Sequence, residues 1–176
     1  AAMGAISGKS DIELDALPRE QYEQLAATAA LFPDEMEDSK LGEIPKGWAL
    51  RTIRDVAQFS SGKVDVTSLN EDLYISTENM IENRAGVARA STLPSVSSVP
   101  SFSTGQVLVS NIRPYFKKIW LARFNGGRSP DVLAFAPTAT YLSEFLYNLM
   151  YQDSFFEFMT RTAKEAKMPR GDKDAI

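Results

Sequence analysis

The sequence predicts an α/β fold of the α+β kind, because β-rich and helical segments occupy different parts of the chain. Short β-rich runs at 106–110, 119–124 and 132–136 lie in the middle of the 176 residues. After Pro137 the apolar spacing changes to the helical period, and a second helix is predicted after Asp153. The apolar positions of the first of these helices are Leu142, Phe145, Leu146, Leu149 and Met150. The chain length favours one domain with an appendage.

The first forty residues predict a helical arm followed by an acidic linker. Apolar side chains recur at three-to-five-residue steps over 11–32, and Pro18 is typical of a first helical turn. Residues 1–10 resemble a tag or a disordered terminus, 11–40 form the arm and linker, and 41–176 form the main domain. Two interpretations of the arm stay open: an amphipathic helix on its own domain, or a piece of a longer helix that packs on a separate partner.

Five further expectations concern residues 48–127. A short helix is predicted over 51–58 and a strand over Leu73–Ser76. Gly126-Gly127 predicts a turn, whereas 90–105 has two prolines and no helical period and predicts an exposed, loop-rich stretch. Trp48 is expected to anchor the chain onto the main domain.

Composition restricts the possible chemistry. Cysteine and histidine are both absent, which excludes Ser-His-Asp and Cys-His catalysis and a typical zinc site. No cofactor is expected in this chain. Since no run of eighteen apolar residues occurs, no transmembrane helix is expected either, and the cytoplasm is the expected compartment.

The net charge of −4 conceals an asymmetry along the chain. Residues 1–41 carry three basic and nine acidic side chains, a net charge of −6. Residues 42–176 carry sixteen basic and fourteen acidic side chains, a net charge of +2. The main domain is therefore mildly basic, which is compatible with nucleic-acid binding.

Polar and basic side chains cluster between two predicted strands, at 111–118. Arginine and asparagine can each make paired hydrogen bonds with base edges, and lysine and tyrosine can contact phosphates. A solvated hairpin loop of the same composition is the competing interpretation. The candidate DNA-binding residues, here and elsewhere, are Lys63, Asn79, Arg84, Asn111, Arg113, Tyr115, Lys117, Lys118 and Arg170.

Four stretches of residues 41–176 resemble motifs of one protein family. They are Leu41-Gly-Glu-Ile-Pro-Lys-Gly-Trp48, Tyr74-Ile-Ser-Thr-Glu-Asn-Met80, Gly105-Gln-Val-Leu-Val-Ser-Asn-Ile-Arg113 and Lys167-Met-Pro-Arg170. In this order they resemble the target-recognition domains of the specificity (S) subunits of type I restriction-modification systems. Residues 11–40 resemble the stretch that follows the central conserved helix of such a subunit.

The resemblance implies both a fold and a function. It implies a curved mixed β-sheet with flanking helices, in a second target-recognition domain that is truncated at its C-terminus. It implies non-catalytic DNA recognition, in which the domain reads one half of a bipartite site in double-stranded DNA. The implied partners are the methylation (M) subunits and, through them, the restriction (R) subunits, without a membrane. The candidates within the corresponding motif segments are Lys63, Asn79, Asn111, Arg113 and Arg170.

Two alternatives remain open at this point. The acidic helical arm is also compatible with a protein-interaction module that makes no DNA contact of its own. Asp131, Glu165 and Lys167 could form the signature of a metal-dependent nuclease, if the two carboxylates lay close enough to hold Mg²⁺. Acidic residues and a Glu-x-Lys sequence are common, so chance is the favoured explanation of that pattern.

Overall fold

The computed structural model describes residues 2–32, 35–40, 42–163 and 169–173, and the chain divides into two compact units between Leu50 and Arg51. The sequence motifs place the start of the main domain earlier, at residue 41. The difference has a local cause, because the strand Gly42–Pro45 pairs with a strand that precedes it in the N-terminal unit.

The N-terminal unit combines short helices with an antiparallel strand pair. Its elements are α1 Ala2–Ser7, α2 Asp11–Asp15, α3 Arg19–Ala29, β1 Met36–Ser39 and β2 Gly42–Pro45. The predicted helix over 11–32 is therefore two helices, and Pro18 directly precedes the second. A capping box begins α2, since the Glu13 carboxylate accepts the Ser10 N–H at 2.9 Å. Helix α1 lies within the stretch for which the sequence predicts a tag or disorder.

Trp48 was expected to anchor the chain onto the main domain. Within the N-terminal unit its ring packs against Phe32, with ring centroids 5.7 Å apart, and the anchoring to the main domain stays a prediction. Half of the Trp48 side chain stays exposed. This contact therefore joins the segment after β2 to the segment after α3.

The C-terminal unit contains two four-stranded sheets, which confirms the predicted α+β class. The first has the strand order β3-β10-β7-β8 and is antiparallel throughout, whereas the second has the order β4-β6-β9-β5 and is mixed, because β5 and β9 run parallel. The strands are β3 Ala57–Phe59, β4 Lys63–Asp65, β5 Tyr74–Ile75, β6 Ser98–Phe102, β7 Val107–Ser110, β8 Ile119–Leu121, β9 Gly126–Arg128 and β10 Val132–Pro137. The helices are α4 Ile53–Val56, α5 Ser143–Met150 and α6 Asp153–Arg161, with 3-10 turns at Val66–Ser68 and Pro114–Phe116.

The first sheet is buried on both faces, which explains the uninterrupted apolar runs of β7 and β10. Side chains alternate across a strand, and Val107 and Val109 pack with the core residues of α5 and α6. Leu108, on the opposite face of β7, packs with Phe102 of the second sheet. The fully or nearly fully buried side chains of the two helices are Leu146, Met150, Phe155, Phe156 and Met159. The predicted helices after Pro137 and Asp153 are confirmed, but the predicted core face of α5 is only partly right: Leu146 and Met150 are buried, whereas Leu142, Phe145 and Leu149 are exposed.

The prediction of a turn at Gly126-Gly127 is wrong, because both glycines belong to the buried strand β9. A Cβ on Gly126 would lie 2.2 Å from the Leu73 carbonyl oxygen, and one on Gly127 would lie 2.4 Å from Leu69 Cδ1. Both are shorter than any real carbon contact, so the strand fits only without side chains at these positions. The two glycines therefore permit a close backbone approach.

The prediction of an exposed loop over 90–105 is wrong in its second half. Strand β6 lies there, with Val99 and Phe102 buried, and pairs with both β4 and β9. The serine-rich composition conceals the strand. Pro100 lacks an N–H, but it stands opposite Lys63 at the end of the β4 ladder, where a missing donor costs little.

Arg128 joins the two sheets and was not singled out in the sequence. Arg128 is 7% exposed. Its guanidinium donates to three carbonyl oxygens: Nη2 donates to that of Ser60 at 2.9 Å, Nε to that of Ser101 at 3.3 Å, and Nη1 to that of Val132. Val132 belongs to the first sheet and Ser101 to the second. Burial lowers the pKa of Arg128 from its ordinary value. The side chain thus cross-links the sheets through their backbones.

Across the described ranges, the helices are all too short or too polar to cross a membrane.

Candidate nucleic-acid interface

A cleft of about 870 Å³ opens on the C-terminal unit. It is lined by the segment after β5, by residues 88–94 and by the connection between β7 and β8. Three of the nine candidate residues line it: Asn79, Arg113 and Lys118. Since the motif segments 74–80 and 105–113 both reach this cleft, the fold brings together two stretches that are about thirty residues apart in sequence.

Arg113 lies on a firmly anchored loop, and its side chain is not bound by any other described residue. Its backbone is left-handed, with φ 50° and ψ 62°, and its N–H donates to the Pro169 carbonyl oxygen at 2.8 Å. The residue is exposed, and among the described residues its guanidinium has no hydrogen-bond or ion-pair partner. A fixed backbone and an unengaged guanidinium suit the recognition of a ligand.

Beneath the Arg113 loop lie Asn111, Asp131 and Arg170. The Asn111 N–H donates to the Asp131 carbonyl oxygen at 2.8 Å, and the Gly171 N–H donates to the Asn111 carbonyl oxygen at 3.1 Å. Arg170 Nε lies 3.4 Å from the Asp131 carboxylate. Asn111 is 4% exposed, and its Oδ1 has no hydrogen-bond partner in the part of the chain described. Asn111 and Arg170 therefore support the loop from below.

Asn79 lines the cleft, but its side chain is used within the fold. Its Nδ2 donates to the carbonyl oxygens of Tyr74 and Ala88 at 2.9 and 2.8 Å, and its Oδ1 accepts the Ser76 N–H at 2.6 Å. The residue is 8% exposed. With both ends of the amide engaged, Asn79 shapes the cleft wall and has little capacity to pair with a base.

Arg84 and Lys117 both bind Asp153, the first residue of α6. Lys117 Nζ lies 2.8 Å from Asp153 Oδ1, and Arg84 Nη2 pairs with the same oxygen. Arg84 Nε also donates to the Tyr151 carbonyl oxygen at 2.8 Å, and its guanidinium lies over the rings of Tyr151 and Phe156 at 4.9 and 5.3 Å. Hydrogen bonds from Lys117 and Arg84 hold the pKa of Asp153 at about 2.

The three remaining candidates differ in position. Lys118 lines the cleft, and its Nζ donates to the Thr77 carbonyl oxygen at 2.8 Å. Tyr115 is 47% exposed and packs against Phe116, although it does not line the cleft. Lys63 begins β4 and is exposed on the second sheet, away from the cleft lining.

Several charged residues of the cleft are not among the nine candidate residues predicted from the sequence. Glu78 and Glu82 line it, as does Arg89, which pairs with Glu71 at 3.1 Å. Burial, assisted by the Glu78 carboxylate, raises the pKa of Tyr74 in the cleft wall. A long loop carries most of these side chains, and the bonds from its Asn83 and Arg84 amides to the Phe116 and Lys117 carbonyl oxygens join it to the 111–118 segment.

The structure also bears on the nuclease alternative. The Asp131 carboxylate is paired with Arg170, as described above, while Glu165 and Lys167 lie outside the described residues. Among the described residues, no group of three or more acidic side chains is arranged to hold a metal ion.

Two curated relatives are similar to this chain in sequence, and no family model matches it. The HindI type I restriction enzyme specificity subunit of Haemophilus influenzae is 40% identical over 82 residues, which cover 42% of this chain and 18% of that protein. The EcoDI type I restriction enzyme specificity subunit of Escherichia coli is 26% identical over 151 residues, covering 80% of this chain and 33% of that protein. The resemblance predicted from the motifs is therefore confirmed.

The chain spans one third or less of the length of these relatives. A structural comparison finds a chain from a study of assembly and conformational transition in the type I R-M system. It has 17% sequence identity and a TM-score of 0.42, over 75% of this chain and 34% of the other.

Proposed function

We propose that this chain, which is similar to specificity subunits of type I restriction enzymes, recognises DNA sequence and catalyses no reaction of its own. In this proposal the C-terminal unit reads one half of a bipartite site in double-stranded DNA. The cleft lined by Asn79, Arg113 and Lys118 is the reading surface. Methylation and restriction chemistry are assigned to separate subunits.

The observation that carries the proposal is the state of Arg113. Other cations around the cleft are engaged: Lys118 by a backbone carbonyl and Arg89 by Glu71. Arg113 is exposed at the cleft, has no side-chain partner among the described residues, and has its backbone held by the Pro169 carbonyl oxygen. An arginine in this state can make a paired hydrogen bond with the O6 and N7 atoms of guanine in the major groove.

The chemistry of the cleft also favours a base edge over a phosphate as the ligand of Arg113. Glu78 and Glu82 line the same cleft, and carboxylates repel the phosphate backbone. Carboxylates can instead accept a hydrogen bond from the exocyclic amino group of cytosine. A surface that offers both a guanidinium and carboxylates suits the edge of a base pair. Tyr115, exposed beside the cleft, can contact the sugar-phosphate backbone of the DNA.

The test is DNA binding by the whole chain. Duplexes are first selected from a randomised pool, and fluorescence anisotropy then measures the affinity of the wild-type chain and of Arg113→Ala for the selected duplex. If Arg113 reads a base, its loss costs about 1–3 kcal/mol of binding free energy and relaxes the sequence preference at one position.

Arg123→Ala is the matched control, because it also removes one exposed arginine, is not among the candidate DNA-binding residues and lies outside the cleft lining. Both variants lose the same charge, so a nonspecific electrostatic effect would weaken them equally. Equal binding by wild type and Arg113→Ala would remove Arg113 from the interface. Failure of the wild-type chain to enrich any duplex at low salt would contradict the proposed function.

We also propose the methylation subunits as direct partners and the restriction subunits as indirect ones, in the cytoplasm and with no cofactor held by this chain. Exposed apolar side chains on the N-terminal unit support a protein partner, because binding would remove them from water. The most exposed are Ile12, Leu31, Met36 and Trp48. Capture of a purified methylation subunit by the chain, and loss of capture in Ile12→Glu, is the corresponding test.

A further inference from the structure

We propose that Asp153 is a positioning residue for the reading cleft, and that Arg84 and Lys117 act through it instead of contacting DNA. The inference rests on the proposed function of the cleft. It replaces the sequence-based assignment of Arg84 and Lys117 as DNA-binding residues.

One carboxylate holds both cations. Lys117 Nζ lies 2.8 Å from Asp153 Oδ1, and Arg84 pairs with the same oxygen. The Arg84 side chain is only 15% exposed, and two aromatic rings and the Tyr151 carbonyl oxygen fill its remaining surroundings. Moving Arg84 to a phosphate would break all of these contacts. The fold therefore already uses the charge that the sequence suggests for DNA.

The two cations come from two different segments that reach the cleft. Glu82, two residues before Arg84, lines it, and so does Phe116, the neighbour of Lys117. The segments also bond directly, since the Asn83 N–H donates to the Phe116 carbonyl oxygen at 2.8 Å and the Arg84 N–H to the Lys117 carbonyl oxygen at 2.9 Å. Asp153 thus closes a junction between two walls of the cleft.

The backbone at this junction needs such support. All the non-glycine residues with positive φ among those described lie here: Asn83, Arg84, Arg113 and Lys117, with φ of 55°, 63°, 50° and 51°. Each such residue is strained and persists only where the surrounding structure fixes it. Arg113, the proposed base reader, is one of the four, so its orientation depends on the same junction.

Helix α6 holds Asp153 in a fixed position. Phe155, Phe156 and Met159 of this helix are buried in the main core. Asp153 itself is on the surface, with 61% of its side chain exposed, so its replacement leaves the core intact. The contacts therefore run from the core, through Asp153, to both segments and on to Arg113.

The experiment compares Asp153→Asn with Glu157→Gln in the full chain. Both variants lose one negative charge from α6, but Glu157 is exposed and has no ion-pair partner among the described residues. We expect Asp153→Asn to bind the duplex selected by the wild type about ten-fold more weakly, although the lost negative charge by itself favours DNA. Glu157→Gln binds as well as wild type or slightly better.

Salt dependence separates positioning from contact. A residue that neutralises a phosphate lowers the slope of log K against log salt by about one when it is removed. We expect Lys117→Met to keep the wild-type slope and to add nothing to Asp153→Asn in the double variant, because both changes break one junction. A slope lower by about one in Lys117→Met overturns the inference for Lys117.

A readout without DNA completes the test. Hydrogen exchange at the Asn83 and Arg84 amides, which bridge the two segments, is expected to accelerate in Asp153→Asn and to stay unchanged in Glu157→Gln. Wild-type affinity together with wild-type exchange in Asp153→Asn overturns the inference and leaves the proposed function standing. If the wild-type chain selects no duplex, the proposed function falls, and the inference falls with it.

Discussion

The contact region between the two sheets and the cleft each contain an arginine, and the two arginines are in opposite states. Between the two sheets, Arg128 is 7% exposed and donates to three backbone carbonyls. At the cleft, Arg113 is exposed and its guanidinium has no partner among the described residues. The first is committed to holding the fold together, whereas the second is available to a ligand.

This difference shows that the charge of a side chain says little about its role until its partners are known. A buried guanidinium must satisfy its donors within the protein, because an unpaired buried charge is costly. An exposed guanidinium on a fixed loop keeps its donors for something outside. The comparison predicts that replacing Arg128 chiefly lowers stability, while replacing Arg113 chiefly weakens binding.

The largest expected effect is that of Arg128→Met on folding. Methionine fills much of the space but leaves the carbonyls of Ser60, Ser101 and Val132 without this donor. We expect the free energy of unfolding to fall by about 3 kcal/mol, in line with the cost of leaving buried polar groups unsatisfied. Urea denaturation followed by circular dichroism measures the change.

Arg113→Met is the matched control for this substitution. Because Arg113 is exposed and unpartnered within the described residues, its replacement should change the unfolding free energy by less than about 0.5 kcal/mol. Similar losses of stability in both variants would contradict the distinction between Arg128, which links the two sheets, and Arg113, which is available at the cleft.

The same distinction explains how much the sequence could predict. Regular apolar spacing identified α5 and α6, because a core-facing helix repeats its buried positions locally. The strand at Ser98–Phe102 escaped detection, because its pairing partners lie far away in sequence and its composition is that of a loop. Gly126 and Gly127 were interpreted as a turn, since the close approach of Leu73 and Leu69 is a tertiary fact.

The candidate site shows the same limit. Motif order and composition directed attention to Asn79, Arg113 and Lys118, which the fold does bring to one cleft. They could not separate Arg113 from Arg84, because the partner of Arg84 is an aspartate 69 residues later. Local patterns predict which segments matter, and long-range pairing decides which side chains remain free.

Gly126→Ala tests the close packing of β9 within the second sheet, the sheet to which Arg128 belongs. The added Cβ would lie 2.2 Å from the Leu73 carbonyl oxygen, a backbone atom directly before β5 that cannot rotate away as a side chain can. We expect a loss of about 2 kcal/mol in unfolding free energy from this overpacking. Gly62→Ala is the control, since its Cβ would meet the Ser101 hydroxyl, a side-chain atom that can rotate away. If Gly126→Ala were as stable as Gly62→Ala, the close packing of β9 would not limit stability.

The smallest expected effect concerns the ion pairs that Asp153 makes with Arg84 and Lys117. Their contribution to stability depends on pH. The pKa of Asp153 is about 2 in the folded chain, against an ordinary value of 3.8, because Lys117 and Arg84 favour the ionised form. A pKa that folding lowers adds stability above the ordinary value, and this stability is lost as the pH falls through the folded value. The stability difference between wild type and Asp153→Asn should therefore be constant above about pH 5 and narrow steadily towards pH 2. Urea denaturation of both proteins across this range measures the stability difference.

Other carboxylates with lowered pKa values, such as Asp55 and Glu71, titrate equally in both proteins and cancel in the difference. A difference that stays constant down to pH 2 would show that the ionised Asp153 carboxylate does not stabilise the fold through Lys117 and Arg84.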